Sequence, residues 1–324
     1  MSTYLVTGAA GFIASRVSQL LLADGHNVIG IDNLNDAYDE RLKHWRLSQL
    51  CERPGFRFQH LDICHRHEVC ELFLRNQFDG VINLAARAGV RQSLKDPWCY
   101  YETNNTGVLN LLEACKTHGV NKFVLASSSS LYGKDNPMPW QEEQNTNLPL
   151  SPYAASKKAA ETLCFTYHHL YGIDITVFRY FTVYGPAGRP DMSPFRFVQW
   201  ISEGRPVHIF GDGMQQRDFT YVDDIARGTI AGLQPVGYEV INLGSDEPVT
   251  LLDMIHLIEE NVGQEAQLCF EEANAADTPA TWANIHKAES LLGWRPQYTL
   301  RDGIAQLATW YQDNRQWARN VQTI

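Results

Sequence analysis

From residue 4 to about residue 180, short runs of β-branched and aromatic residues alternate with amphipathic stretches. YLVTG (4–8), NVIGID (27–32), FRFQHLD (56–62), GVINLAA (80–86), KFVLASS (122–128) and DITVFRYF (174–181) read as buried strands. Between them apolar positions recur at helical spacing, as in SRVSQLLLADG (15–25). Such alternation builds right-handed βαβ units, so the chain is expected to be α/β, with a doubly wound parallel sheet of the Rossmann type. After Thr182 the pattern changes. VYGPAGRPDM (183–192), the helix-like FRFVQWISEG (195–204) and the segment 211–232 are shorter elements punctuated by Pro and Gly, which predicts a smaller capping region. EVINLGS (239–245) reads as one more buried strand returning to the main sheet. The expected division is residues 1–180, with the strand near 239–244, and a mainly ligand-binding region over 181–324.

Particular residues add chemistry to this frame. Gly8-Ala9-Ala10-Gly11-Phe12-Ile13-Ala14 follows the first strand directly and opens the first helix. Small residues there let the backbone approach a pyrophosphate, and the helix N-terminus stabilises its charge. Asp32 ends the next strand, 21 residues after Gly11, where a carboxylate hydrogen-bonds an adenosine ribose. The cofactor implied is NAD rather than NADP, because Asp32 would repel a 2′-phosphate, although Arg41 and Lys43 lie nearby in sequence. Farther on, Ser151 reads as a helix cap with Pro152 in the first turn. Tyr153 and Lys157 then share one face of that helix.

Composition narrows the function classes. The net charge of −10 argues against a nucleic-acid surface, which needs clustered cations, so any anionic ligand must be met by a few local arginines. No stretch approaches the ~18 apolar residues of a membrane span, and the N-terminus lacks a secretory pattern, so a cytoplasmic protein is expected. The cysteines, Cys51, Cys64, Cys70, Cys99, Cys115, Cys164 and Cys269, are odd in number and scattered without a C-x-x-C pair. They read as reduced, mostly buried thiols, and no metal site is expected.

Together GAAGFIA, NLAA, ASSSSLYG, YAASK, RYFTVYGP and RDFTYVDDI resemble the extended short-chain dehydrogenase/reductase family over nearly the whole chain. Within it, DNLNDAYDERLKHWRL, RAGVRQSL, FTVYGPAGRPDM and DTPATWANI are most similar to the UDP-glucuronate 4-epimerases. The resemblance implies a catalytic set of Ser128, Tyr153 and Lys157, with Ser127 an adjacent hydroxyl that could stand in for Ser128. For the cofactor it implies Gly8, Gly11, Phe12, Ile13, Asp32, Asn33, Asp62, Ile63, Leu84, Ala85, Ala86, Arg87, Asn104, Ser127 and Tyr180 beside Tyr153 and Lys157. For a UDP-sugar it implies Arg91, Ser128, Ser129, Ser130, Tyr153, Thr182, Arg189, Arg217 and Asp277. It also implies a homodimer in which helices after about residues 98 and 153 pack as a four-helix bundle.

The chemistry of such a set is proton transfer coupled to hydride transfer. A phenol ionises at about pH 10, so making it a base near neutrality requires about 4 kcal/mol of stabilisation, with Lys157 and the oxidised nicotinamide ring the expected sources. In related 4,6-dehydratases an Asp-Glu pair follows the catalytic hydroxyl, and related decarboxylases carry the glutamate, whereas this chain has Ser129 and Ser130. Epimerisation at C4 needs neither group and is the reaction left standing, and the resemblance implies UDP-glucuronate to UDP-galacturonate as the conversion. A decarboxylase, a dehydratase, a 4-epimerase of a neutral or N-acetylated UDP-hexose and a catalytically silent NAD-binding protein remain as alternatives. Three positions depart from the family pattern. Ala14 replaces a third glycine, Arg87 replaces a neutral residue beside the cofactor, and Ala275-Ala276-Asp277 replaces Pro-Gly-Asp.

Overall fold

A computed structural model describes residues 1–272 and 278–323. Twelve strands are found among the described residues, numbered here in chain order: β1 Thr3–Thr7, β2 Asn27–Asp32, β3 Phe56–His60, β4 Gly80–Asn83, β5 Lys122–Ser128, β6 Asp174–Tyr180, β7 Thr182–Tyr184, β8 Val207–Phe210, β9 Gln216–Tyr221, β10 Tyr238–Leu243, β11 Pro248–Thr250 and β12 Leu268–Glu271. Seven form one parallel sheet in the order β10-β6-β5-β4-β1-β2-β3. This is the Rossmann arrangement expected from the strand–helix alternation, in which the chain winds outward both ways from β1. The strand read at EVINLGS lies parallel to β6 at the edge of this sheet.

Both faces of the sheet are covered, which explains the continuous apolar runs. On one face, Phe123 and Leu125 of β5 meet Val69, Leu111 and Cys164 from helices Arg66–Arg75, Val108–His118 and Pro152–Tyr171. On the other, Val124 and Ala126 meet Val17, Ile225 and Ala288 from helices Phe12–Ala23, Val222–Ala231 and His286–Leu292. Ala14 packs within this second layer at 2% exposure, so the methyl that replaces the usual glycine has a place in the helix–sheet contact. Arg16 and Asp223 pair at 2.7 Å and tie two of these helices together.

The remaining elements form a third apolar cluster, in which helices Ser193–Ser202, Leu251–Val262 and Leu300–Asp313 pack around Phe195, Ile255 and Tyr311. Beside it lies a small sheet, β11-β9-β7, where Thr182 pairs with Phe219. The strands read at FRFQHLD and GVINLAA end early, at His60 and Asn83. The chain turns out of the sheet there, placing Asp62 and residues 84–87 in loops at the carboxyl ends of the strands. The thiols are less buried than expected. All seven are unpaired, but only Cys115 and Cys164 are buried, and Cys51 and Cys269 are exposed.

Candidate active site

Gly8 has a positive φ of 68°, and a Cβ there would stand 2.9 Å from Ala85 Cα. The Gly11 N–H donates to Gly8 O at 2.7 Å, closing a turn that leaves no room for side chains. Helix Phe12–Ala23 starts from Gly11 with no side-chain cap, so its first N–H groups remain available to an anion. Asp32, at the end of β2, accepts from the backbone N–H of Ala10 at 3.1 Å and of Leu34 at 2.8 Å. It therefore braces the glycine turn itself. Asn33 donates to Asp62 at 2.7 Å. Burial would raise the Asp62 carboxyl, but the Cys64 N–H and the Asn33 amide outweigh it and hold the group below its ordinary range. Ile63 is buried beneath Gly107, where a Cβ would approach it to 2.5 Å.

Leu84, Ala85, Ala86 and Arg87 follow β4 as a half-buried loop, and the Ala85 N–H is held by Thr7 Oγ1 at 3.0 Å. Asn104 fastens the next stretch. Its side chain accepts from Arg87 N and donates to Arg87 O, both at 3.0 Å, and donates to Ser156 Oγ at 2.9 Å. Asn104 belongs to a π-helical segment, Glu102–Gly107, an uncommon conformation that often marks functional sites.

The expected helix cap is present: Ser151 accepts from the Ala154 N–H at 3.1 Å, and helix Pro152–Tyr171 presents Tyr153 and Lys157 one turn apart. Strand alternation separates the two neighbouring serines. Ser127 Oγ donates to the buried Glu161 at 2.6 Å, within the ion pair that Glu161 forms with Arg179 at 2.9 Å. Ser128 lies on the other side, where its hydroxyl favours the ionised form of the Tyr153 phenol. The Ser128 hydroxyl also accepts from Ser130 N at 3.2 Å and Ser130 Oγ at 2.9 Å, gathering Ser128, Ser129 and Ser130 at the end of β5.

Burial pushes the Tyr153 phenol above its ordinary value, while Ser128 and the charge of Arg189 pull it back. Lys157, expected to supply that charge, donates to Ala126 O at 2.9 Å, because a buried ammonium must find an acceptor and β5 offers one. Burial brings the Lys157 ammonium down to about 8, with Glu161 opposing the shift. A second phenol, Tyr100, stacks edge-on to Tyr153 at 6.1 Å and donates to Ala88 O at 3.3 Å. Burial raises Tyr100 to about 12, so it stays neutral near pH 7.

Arg189 is gripped by Asp191 through Nε at 3.0 Å and Nη2 at 2.6 Å. Arg91 stacks over Phe210 at 4.5 Å, Thr182 begins β7, and Arg217 stands on β9 two residues from the partner of Thr182. The Tyr180 hydroxyl points into the core, paired with Thr229 at 2.8 Å, and does not join the group at Tyr153. Asp277, with Ala275 and Ala276, lies outside the described residues. Sequence reasoning missed Asp191, although it sits two residues after Arg189 in GRPDM, and missed the buried Arg46, which contacts the loop before Arg189.

The profile of the NAD dependent epimerase/dehydratase family matches residues 4–244. The chain belongs to that family. Among members of the family, it is 52% identical over 322 residues to a UDP-glucuronate 4-epimerase of Thermodesulfobacterium geofontis, covering 99% of each chain. A solved UDP-glucuronic acid 4-epimerase from Bacillus cereus, in complex with UDP-glucuronic acid and NAD, superposes with a TM-score of 0.90 at 39% identity, covering 96% of this chain and 99% of that one. A UDP-glucose 4-epimerase of Thermus thermophilus in complex with NAD matches at a TM-score of 0.86 and 31% identity, covering 96% and 99%.

Proposed function

We propose that this protein is an NAD-dependent 4-epimerase of UDP-glucuronate, forming UDP-galacturonate through a transient 4-keto sugar. The observation that carries this reading is the convergence of Tyr153 and Lys157, one turn apart on helix Pro152–Tyr171, with the serines that end β5, and of Arg189, which donates to the same Ala88 carbonyl as the Tyr100 phenol beside Tyr153. That arrangement joins a proton-transfer pair to a cation suited to a hexuronate carboxylate. The relative from Thermodesulfobacterium geofontis, matched end to end, supports the same substrate.

The residues present fit NAD. The turn at Gly8 and Gly11 has no space for a Cβ, the following helix start is uncapped, and the Asp32 carboxylate stands at the end of the next strand. Gly8, Gly11, Phe12 and Ile13 hold the diphosphate, Asp32 and Asn33 the adenosine ribose, Asp62 and Ile63 the adenine, and Leu84–Arg87, Asn104 and Lys157 the remainder. Bound NAD supplies a hydride acceptor that also returns the hydride. Tyr153 takes the C4 hydroxyl proton and later restores it, while Ser128 hydrogen-bonds the same oxygen. Arg189 offsets the cost of a buried phenolate, and Lys157 contributes while it remains charged.

Ser129 and Ser130 offer neutral donors where dehydratases carry acid and base, so elimination of water has no catalyst there. Hydrogen bonds to the sugar carboxylate hold it against decarboxylation while the ring turns over. Residues 1–180 with β10 serve the cofactor, and residues 181–324 mainly grip the nucleotide sugar through Thr182, Arg189, Arg217 and Asp277, joined by Arg91. We also propose a cytoplasmic homodimer. No helix among the described residues is long and apolar enough to cross a membrane. Trp98, Tyr101, Leu109, Phe165 and Tyr171 expose apolar surface on helices near residues 98–118 and 152–171, which supports the pairing.

Separating the nucleotide sugars after incubating the protein with UDP-glucuronate tests the reading. UDP-galacturonate, with UDP-glucuronate re-formed from it, is the expected outcome. A UDP-pentose with released carbon dioxide would establish the decarboxylase instead. Faster turnover of UDP-glucose than of UDP-glucuronate would remove Arg189 from its carboxylate role.

A further inference from the structure

Helix Glu40–Cys51 buries Leu42, Arg46 and Leu50 at i, i+4 and i+8, one continuous stripe with at most 1% exposure. An aliphatic residue is the ordinary occupant of the middle position. Here the guanidinium makes five hydrogen bonds. Nη1 donates to Ala10 O at 3.2 Å and to the Tyr38 hydroxyl at 2.7 Å. Nε and Nη2 both donate to Ala187 O, at 2.9 and 2.7 Å, and Nη2 also to Gly188 O at 3.1 Å. The rings of Phe12 and Tyr38 stand 5.8 and 5.5 Å from it. None of these acceptors is a carboxylate, so the buried charge is held by oriented carbonyls, a costly arrangement if its only product were packing.

The two ends of this clamp belong to different parts of the site. Ala10 lies inside the glycine turn, with its N–H on Asp32. Ala187 has φ 52°, a left-handed conformation unfavourable for a residue with a side chain, and its carbonyl is the one Arg46 grips twice. The Gly188 N–H closes the turn onto Gly185 O at 3.1 Å, and the next residue is Arg189. One rigid fork thus spans the dinucleotide turn and the loop that carries Arg189, whose charge acts on the Tyr153 phenol.

We propose that Arg46 is a positioning residue that couples these two loops, so that NAD and the UDP-sugar each strengthen the binding of the other. The proposal rests on the functional reading above, in which Gly8–Gly11 receives NAD and Arg189 the sugar. A ligand that fixes Ala10 fixes the guanidinium, and through it the carbonyls ahead of Arg189; coupling of this kind is reciprocal.

The test uses the Tyr153→Phe protein, in which both ligands bind without turnover. NAD affinity is measured by calorimetry with and without saturating UDP-glucuronate, then again after adding Arg46→Lys, which keeps the charge but cannot bridge two carbonyls. The sugar is expected to tighten NAD about tenfold with Arg46 in place and less than about twofold with lysine, within the usual range of coupling. A purely structural role would lower the melting temperature, or weaken both ligands, while leaving that factor unchanged, and this result overturns the proposal. Should neither ligand bind the Tyr153→Phe protein, the functional reading itself falls. Tyr38→Phe, which removes one acceptor without emptying the position, serves if Arg46→Lys does not fold. A diminished factor there supports the coupling and an unchanged one contradicts it.

Discussion

The Gly8–Gly11 turn and the Gly185–Asp191 loop meet at Arg46, yet they are held in place by different means. The glycine turn is an exit from a parallel sheet. β1, the helix Phe12–Ala23 and the neighbouring β2 and β4 determine where it lies, and close backbone packing against Ala85 does the rest. The later loop leaves the three-stranded sheet and is held by polar side chains, of which Arg46 reaches it from far along the chain. Arg46 holds Ala187 and Gly188, Asp191 holds Arg189, and Asp218 gathers Ser245, Asp246 and Ala283 onto β9. Regular secondary structure therefore dominates at the glycine turn, where Asp32 and Arg46 add polar braces, and individual polar contacts dominate at the later loop. Substitutions at strand ends on the first side are expected to change chemistry while sparing the fold, whereas substitutions of buried polar groups on the second should cost stability directly.

The largest expected effect is on the chemical step. Tyr153→Phe should lower turnover at least a thousandfold, about 4 kcal/mol, with NAD affinity and melting temperature nearly unchanged, because only the titrating oxygen is lost. Steady-state kinetics beside thermal unfolding checks this. Asp218→Ala makes the opposite case. It removes the fully buried acceptor shared by the N–H groups of Ser245, Asp246 and Ala283, leaving the buried Ala283 N–H without its partner, and is expected to destabilise the protein by about 3 kcal/mol in denaturant unfolding. A loss below about 1 kcal/mol would break the contrast between the two sides.

Lys157→Met sharpens the comparison, because it should cost about a hundredfold in activity without loss of stability near neutral pH. The Lys157 ammonium titrates at about 8 when folded, below its ordinary 10.5. Between those values the unfolded chain binds the extra proton, so this group makes stability rise as pH rises through that window. The variant should lack that rise, and identical pH–stability curves for the two proteins would contradict the burial assigned to Lys157. The smallest effect concerns cofactor choice. Asp32→Asn should weaken NAD about tenfold and narrow its advantage over NADP, since the change removes both a repelling charge and a brace on Ala10. Calorimetry with each dinucleotide measures the two changes separately.

The same contrast explains what could be read from the chain. The strands of the large sheet were legible, down to the return of Tyr238–Leu243, because buried parallel strands are apolar throughout. The helix cap at Ser151 and the spacing of Tyr153 and Lys157 were legible because they are local. Ser127 and Ser128 could not be separated by adjacency alone. Their assignment to opposite faces depends on the register of β5, where Ser127 falls in line with Phe123 and Leu125, and Ser128 with Val124 and Ala126. Helix Glu40–Cys51 was obscure because its buried face includes Lys43 and Arg46, whose partners lie in other segments. The direction of the Lys157 ammonium toward Ala126 and the grip of Asp191 on Arg189 are three-dimensional facts that spacing does not contain.

In the proposed reaction the hydride removed from C4 is the one returned to it, with Tyr153 moving only the proton. UDP-glucuronate carrying deuterium at C4, converted by the protein with catalytic NAD and examined by mass spectrometry and proton NMR, tests this directly. UDP-galacturonate that retains the deuterium at C4, with no net change in nicotinamide absorbance, is the expected product. Product whose C4 deuterium has been replaced by solvent hydrogen would contradict it.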